Sequence, residues 1–251
     1  MDAPTTIEAA RAAHLSAGER LSAALWPALR LVAAALAIAL VVRILIAQPF
    51  AIPSGSMAPT LEPGDFVAVD KRAYGWSLAS LPLAAPLMRP EGMAVGRLGA
   101  KAVEPGDVIA FVGPDGRDYV KRVVAVGGDR VSLQGGVLHL NGRAFPCVPE
   151  TAGQREGQLG GLCRETLPNG QGHLIRSNGT GPTATFPELL VPDGHYFVLG
   201  DNRDESADSR VPRSDGGVGL VPDAQVMGRA ARIFLSVDGG IRWDRVGRAI
   251  D

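Results

Sequence analysis

The chain has 251 residues, a formal net charge of -1 and a pI of about 6.4, which removes any electrostatic case for a nucleic-acid partner. Its 32 Gly and 19 Pro, set against few long helical patterns, point to a body of many short strands joined by turns. The two cysteines have no Cys or His at ligand spacing and cannot complete a tetrahedral metal set, so no metal site is expected.

In chain order the first feature is an apolar segment from about Leu31 to Ile52, interrupted by Arg43 and Gln48. A spanning helix needs roughly 20 mostly apolar residues, and residues 31–42 are good helix formers. We expect a transmembrane helix at 26–47, a cytoplasmic segment at 1–25 and an exported domain at 48–251. The alternatives are a buried core helix and a cleaved signal peptide. The second lacks a good cleavage site, because Pro49 follows Ala47-Gln48 at once. Arg11, Arg20 and Arg30 precede the apolar run, while Arg43, Lys71 and Arg72 lie toward its far side, a weak positive-inside lean to a cytoplasmic N-terminus. Cys147 and Cys163 lean the same way, as a possible disulfide of an exported domain; the alternative is two unpaired small apolar residues.

Beyond the anchor, strands are expected at 65–70, 108–112, 119–126 and 195–199, each bounded by turn residues. Asn141-Gly142, between 137–140 and 143–145, is the preferred dipeptide of a tight hairpin. Residues 228–244 read as a closing hairpin turning at Asp238-Gly239-Gly240. The stretch 76–98 is apolar but broken by Pro82, Pro86 and Pro90. It lies on lipid with Trp76 at headgroup level, or packs over the strands. The expected fold is mainly β, an antiparallel, barrel-like body behind one helix.

Ser54-Gly55-Ser56-Met57 follows almost directly on the apolar segment, which sets a serine at the mouth of a membrane. A serine hydroxyl is a weak nucleophile and needs a base. His14, His139, His173 and His195 sit in no context that suggests a catalytic loop. Lys121 is the better candidate, since it lies in the apolar run Tyr119–Val126 beside Arg122, and neighbours on a strand face opposite ways. Burial lowers a lysine pKa and leaves arginine charged, so only the lysine becomes a neutral base. The bland alternative is that both snorkel to water from an edge strand.

Five blocks occur together and in order: Ser54–Met57, Asp65–Lys71, Gly106-Asp107-Val108, Asp118–Arg122 with Gly127-Gly128-Asp129, and Gly200–Arg210. Together they resemble the bacterial type I signal peptidases, and Glu165–Gly170 resembles that family's inserted β-ribbon, about 130–192 here. The resemblance implies Ser56 as nucleophile, Lys121 as general base and Ser206 as the group that orients the lysine. It implies an oxyanion hole from the Ser56 N–H and the Ser54 hydroxyl, and shallow substrate pockets lined by Phe50, Ile52 and Val120. Asp208 and Arg210 would pair to hold the last block, with Asp201, Asn202 and Arg203 shaping the loop. Glu205 stands where many relatives carry Asn and is given no catalytic role. The implied activity is removal of signal peptides from exported preproteins after small-x-small sites, without a cofactor. The implied location is the bacterial inner membrane, with the catalytic domain on the periplasmic side. Rival readings are a same-clan peptidase dedicated to one exported protein, a self-cleaving regulator, which should carry a DNA-binding segment, and a non-catalytic tethered domain that binds peptides.

Overall fold

A computed structural model of the protein describes residues 17–77, 97–150 and 161–250, with side chains from residue 25 onward. The expected anchor is a helix over Ala17–Leu45 (α1). It stops two residues short of 47 because Ala47–Ala51 (β1) enters a strand and pairs antiparallel with Asp65–Asp70 (β2), from Ala47↔Asp70 to Ala51↔Phe66. Pro49 lacks a backbone N–H, so β1 suits the sheet edge it occupies. Residues Leu25–Leu45 have a mean hydropathy of 2.4 and none of that window is buried, which discards the buried core helix. The chain divides into two compact units, Met1–Arg43 and Ile44–Asp251.

The second unit continues with Val108–Val112 (β3), Asp118–Val126 (β4), Arg130–Gln134 (β5), Val137–Leu140 (β6) and Arg143–Phe145 (β7). Val148–Pro149 (β8), Leu162–Thr166 (β9), Gly172–Arg176 (β10) and Phe186–Leu190 (β11) follow. His195–Leu199 (β12), Val221–Pro222 (β13) and Val226–Ser236 (β14) complete it. A seven-stranded sheet runs β1-β2-β14-β3-β4-β12-β13, and its pairings are antiparallel. The stretch between β4 and β12 forms two further sheets, β11-β5-β6-β7 and β10-β9-β8. The fold is therefore mainly β and antiparallel behind one apolar helix, as the turn-rich composition indicated.

Side-chain alternation explains why β3 is continuously apolar and why the apolar residues of β4 fall on both of its faces. Val108, Ala110 and Val112 join one core cluster with Phe50, Ile52, Met57 and Val120. Ile109 and Phe111 join another with Val123 and Val198. With both faces covered, β3 has no polar side chain, and the two charges in the middle of β4, Lys121 and Arg122, are buried. At the β6–β7 turn Asn141 (φ 51°) and Gly142 (φ 79°) both take the left-handed conformation that a two-residue hairpin requires.

The closing hairpin differs from expectation. Val237 and Ile241 make a single bridge around the Gly239-Gly240 turn, but residues 242–248 form turns rather than a returning strand. Strand β14 pairs with β3 over Val226–Arg229 and with β2 over Arg229–Ser236; the returning chain meets it again only at the bridge between Arg232 and Ala249, because its arginines are first drawn to a buried carboxylate. Arg245 binds Asp65 through Nε (3.0 Å) and Nη2 (2.5 Å), and Arg242 Nη2 approaches it at 3.2 Å.

Of the stretch 76–98, residues 78–96 lie outside the described residues. Trp76 bridges Leu98 and donates its indole N–H to the Leu45 carbonyl at 2.9 Å. His14 also lies outside them.

Candidate active site

Leaving β1, the chain keeps strand-like bonds through Ile52, whose N–H donates to the Asp65 carbonyl (2.8 Å). Ser54 is extended, and Gly55–Met57 then forms one 3-10 turn closed by the Ala58 N–H on the Gly55 carbonyl (3.0 Å). Met57 is buried in the core cluster that holds Phe50, Ile52 and Val120. The turn is thereby pinned from below, and Ser56 is carried half-buried on a short, constrained segment.

Lys121 reaches this turn from the middle of the sheet. Its Nζ stands 2.5 Å from Ser56 Oγ, across 65 residues of sequence. Burial pulls the amine from its ordinary 10.5 down to about 8; Asp208 and Asp201 oppose the shift and Arg210 adds to it. A neutral fraction of about a tenth therefore exists at pH 7, and a neutral amine is able to accept a hydroxyl proton. Arg122, the next residue, is also buried, contrary to the snorkelling alternative.

Arg122 is tolerated inside because it is fully paired. Its Nε and Nη2 each donate to Asp201 at 2.8 Å, and Nη1 donates to the Gly106 carbonyl at 2.8 Å. Burial raises the Asp201 pKa, but Arg122 and Thr60 outweigh it and hold the carboxyl below its ordinary value. Thr60 Oγ1 donates to the same carboxylate at 2.5 Å.

The loop after β12 lies on the serine turn. At Gly200 any Cβ would collide with Ser206 Oγ and the Ser56 carbonyl oxygen, so the close approach requires glycine. The Asn202 N–H donates to the Ser56 carbonyl (3.1 Å) and its Nδ2 to the Gly55 carbonyl (3.1 Å). Asp208 accepts from the Gly200 N–H (3.0 Å) and takes Arg210 through Nε and Nη2, both at 2.8 Å. Arg210 Nη2 also donates to the Arg203 carbonyl (2.7 Å), which closes the loop on itself.

Among the expected site residues, Ser54 Oγ lies 3.3 Å from Ser56 Oγ. Ser206 is buried against Gly200 and the Ser56 carbonyl, yet its Oγ has no hydrogen-bond partner, so the expected bond to Lys121 is absent here. Cys147 and Cys163 are joined as a disulfide, with Cα atoms 5.4 Å apart. Among the described residues no cluster of three or more His, Cys, Asp or Glu side chains is set to hold a metal.

Sequence reasoning missed a second buried charge group. Arg203 donates to Glu165 on β9 through Nη1 (3.0 Å) and Nη2 (2.5 Å). His173 Nε2 lies 3.5 Å from Glu165 and 3.9 Å from Asp201. Burial raises Glu165, but Arg203 and His173 outweigh it and bring the carboxyl to about 2. Burial likewise lowers His173, against the pull of Glu165. The available signal was the charge of a segment that also had to pack, but nothing in its spacing names a partner 38 residues away.

A curated signal peptidase I of Rickettsia felis is 35% identical over 214 residues, spanning 79% of this chain and 75% of the relative. That of Pseudomonas aeruginosa is 36% identical over 211 residues, spanning 79% and 68%. A crystallised signal peptidase I of Enterococcus faecalis matches 51% of this chain and 97% of its own at 27% identity, with a TM-score of 0.32, too low to bear on the fold. The family model described as "Signal peptidase, peptidase S26" matches residues 25–235. With that match running from the apolar helix through the loop over Ser56, the chain belongs to the signal peptidase family, peptidase S26.

Proposed function

We propose that this chain is a membrane-anchored serine endopeptidase that removes signal peptides from exported preproteins, with Ser56 as nucleophile and Lys121 as general base. The 2.5 Å approach of a buried lysine with a pKa of about 8 to Ser56 Oγ is the observation that carries it. Neutral Lys121 takes the hydroxyl proton as Ser56 Oγ bonds to the scissile carbonyl carbon. The resulting oxyanion is bound by the Ser56 N–H and the Ser54 hydroxyl. Collapse breaks the C–N bond, and the lysine ammonium protonates the leaving amine. Water then attacks the acyl ester, giving a proton to Lys121, and the C–O bond breaks as Ser56 recovers its proton.

Phe50, Ile52 and Val120 supply the apolar lining for small side chains on either side of the variable residue. Helix α1 is the anchor, with the second unit on the periplasmic face of the inner membrane, where a disulfide persists. The test is a panel of unrelated preproteins carrying Ala-x-Ala sites, incubated with the detergent-solubilised full chain. The wild type should release mature proteins cut after the site, and Leu at both Ala positions should stop it. Ser56→Ala and Lys121→Ala should be folded and inactive. Cleavage of one preprotein alone would favour the dedicated maturation peptidase, and peptide binding without turnover would favour the non-catalytic domain.

A further inference from the structure

The Asn202 side chain touches the serine turn at a place that bears on catalysis. Its Nδ2 donates to the Gly55 carbonyl at 3.1 Å while its backbone N–H donates to the Ser56 carbonyl at 3.1 Å. The Gly55 carbonyl and the Ser56 N–H belong to one planar trans peptide unit, so they point in opposite directions. Fixing the oxygen fixes the direction of the N–H. The Gly55 oxygen also accepts the Ala58 N–H at 3.0 Å, so two donors grip one end of this unit. Hydrogen bonds to a carbonyl polarise its amide and strengthen the N–H at the other end as a donor.

We infer that Asn202 is a positioning residue for the oxyanion hole, holding and polarising the Gly55–Ser56 peptide so that the Ser56 N–H meets the developing negative charge. The inference rests on the reading of Ser56 as nucleophile given above. Glu205 has a part in it, since its Oε2 accepts the second Nδ2 hydrogen at 3.0 Å. With two oxygen acceptors facing the same end of the amide, that end must be the NH2 group. A flipped amide would set oxygen against oxygen twice. The loop is aligned from the insertion as well: Asn202 makes a parallel bridge with Arg176, whose N–H donates to the Asp201 carbonyl at 2.8 Å.

The distinguishing experiment compares Asn202→Ala with the near-isosteric Asn202→Asp in the detergent-solubilised full chain. Both leave the backbone bond from residue 202 to the Ser56 carbonyl available. The alanine removes the donor, whereas the carboxylate turns an acceptor toward the Gly55 oxygen and toward Glu205. Loss of one oxyanion donor costs about 100- to 1,000-fold in kcat. Weakening its support should cost roughly 10- to 100-fold in Asn202→Ala and more in Asn202→Asp. KM should stay within about threefold, because the interaction acts on the transition state.

A peptide aldehyde ending in Ala-x-Ala adds to Ser56 and sets its oxygen in the same position, so its inhibition constant should rise in step with the fall in kcat. A purely structural role would lower the active fraction without changing the inhibition constant; that result would overturn the inference. If a variant melts, the inhibition constant on its surviving folded fraction decides the matter. Unchanged kcat in folded variants of an active wild type overturns the Asn202 role alone. An inert wild type overturns the peptidase reading, and the inference with it.

Discussion

At the scale of the residue, Lys121 is held in a state that costs stability. Its folded pKa of about 8 lies below the ordinary 10.5, so the folded protein disfavours the proton. Below pH 8 both folded and unfolded forms carry the charge and the penalty is fully present; it fades as pH rises toward 10.5. The shift corresponds to about 3 kcal/mol. Lys121→Met, which keeps much of the aliphatic volume, should therefore be inactive yet more stable than wild type at pH 7, by up to that amount. Thermal or denaturant unfolding at pH 7 and at pH 10 checks it, and a gain that does not shrink at the higher pH would contradict the burial argument. This is why Lys121 was legible in sequence: a lysine inside an apolar strand is a local anomaly. Thr60, Asp201 and Asn202 were not legible as partners, because their contacts depend on the close approach of the loop to the serine turn at Gly200 and leave no periodic mark.

At the scale of the element, the inserted sheet is tied to the loop that lies on the Ser56 turn by a buried ion pair. Glu165 on β9 takes both Nη atoms of Arg203, and its carboxyl sits at about 2 against the ordinary 4.5. Its stabilising contribution is complete above pH 4.5 and is lost as pH falls toward 2. Glu165→Gln should destabilise by roughly 3–5 kcal/mol at pH 7, because Arg203 is left buried without its counter-charge. The loss relative to wild type should narrow as the pH falls through that window. Denaturant unfolding at pH 7 and pH 3 measures both, and an equal loss at the two values would contradict the pairing. Strands β2, β3, β4 and β12 were readable because each is an apolar run between turn signals. The second arm of the closing hairpin was not, since sequence alternation cannot report that Asp65 captures Arg245 and turns the returning chain before it meets β14 at the bridge between Arg232 and Ala249.

For the whole molecule, a long apolar helix joins a β-rich unit that carries the serine and the lysine. Strand β1 begins two residues past the last residue of that helix and ends five residues before Ser56, so Ser56 is reached with little intervening chain. One chemical step is central to the proposed function: neutral Lys121 activates Ser56. The most direct measurement is kcat/KM for preprotein cleavage by the wild-type full chain from pH 6 to pH 10. Only the unprotonated amine is competent, so the rate should rise about tenfold per pH unit below 8 and level off above it. A rate that is flat from pH 6 to pH 8, or that falls as pH rises through 8, would contradict the account.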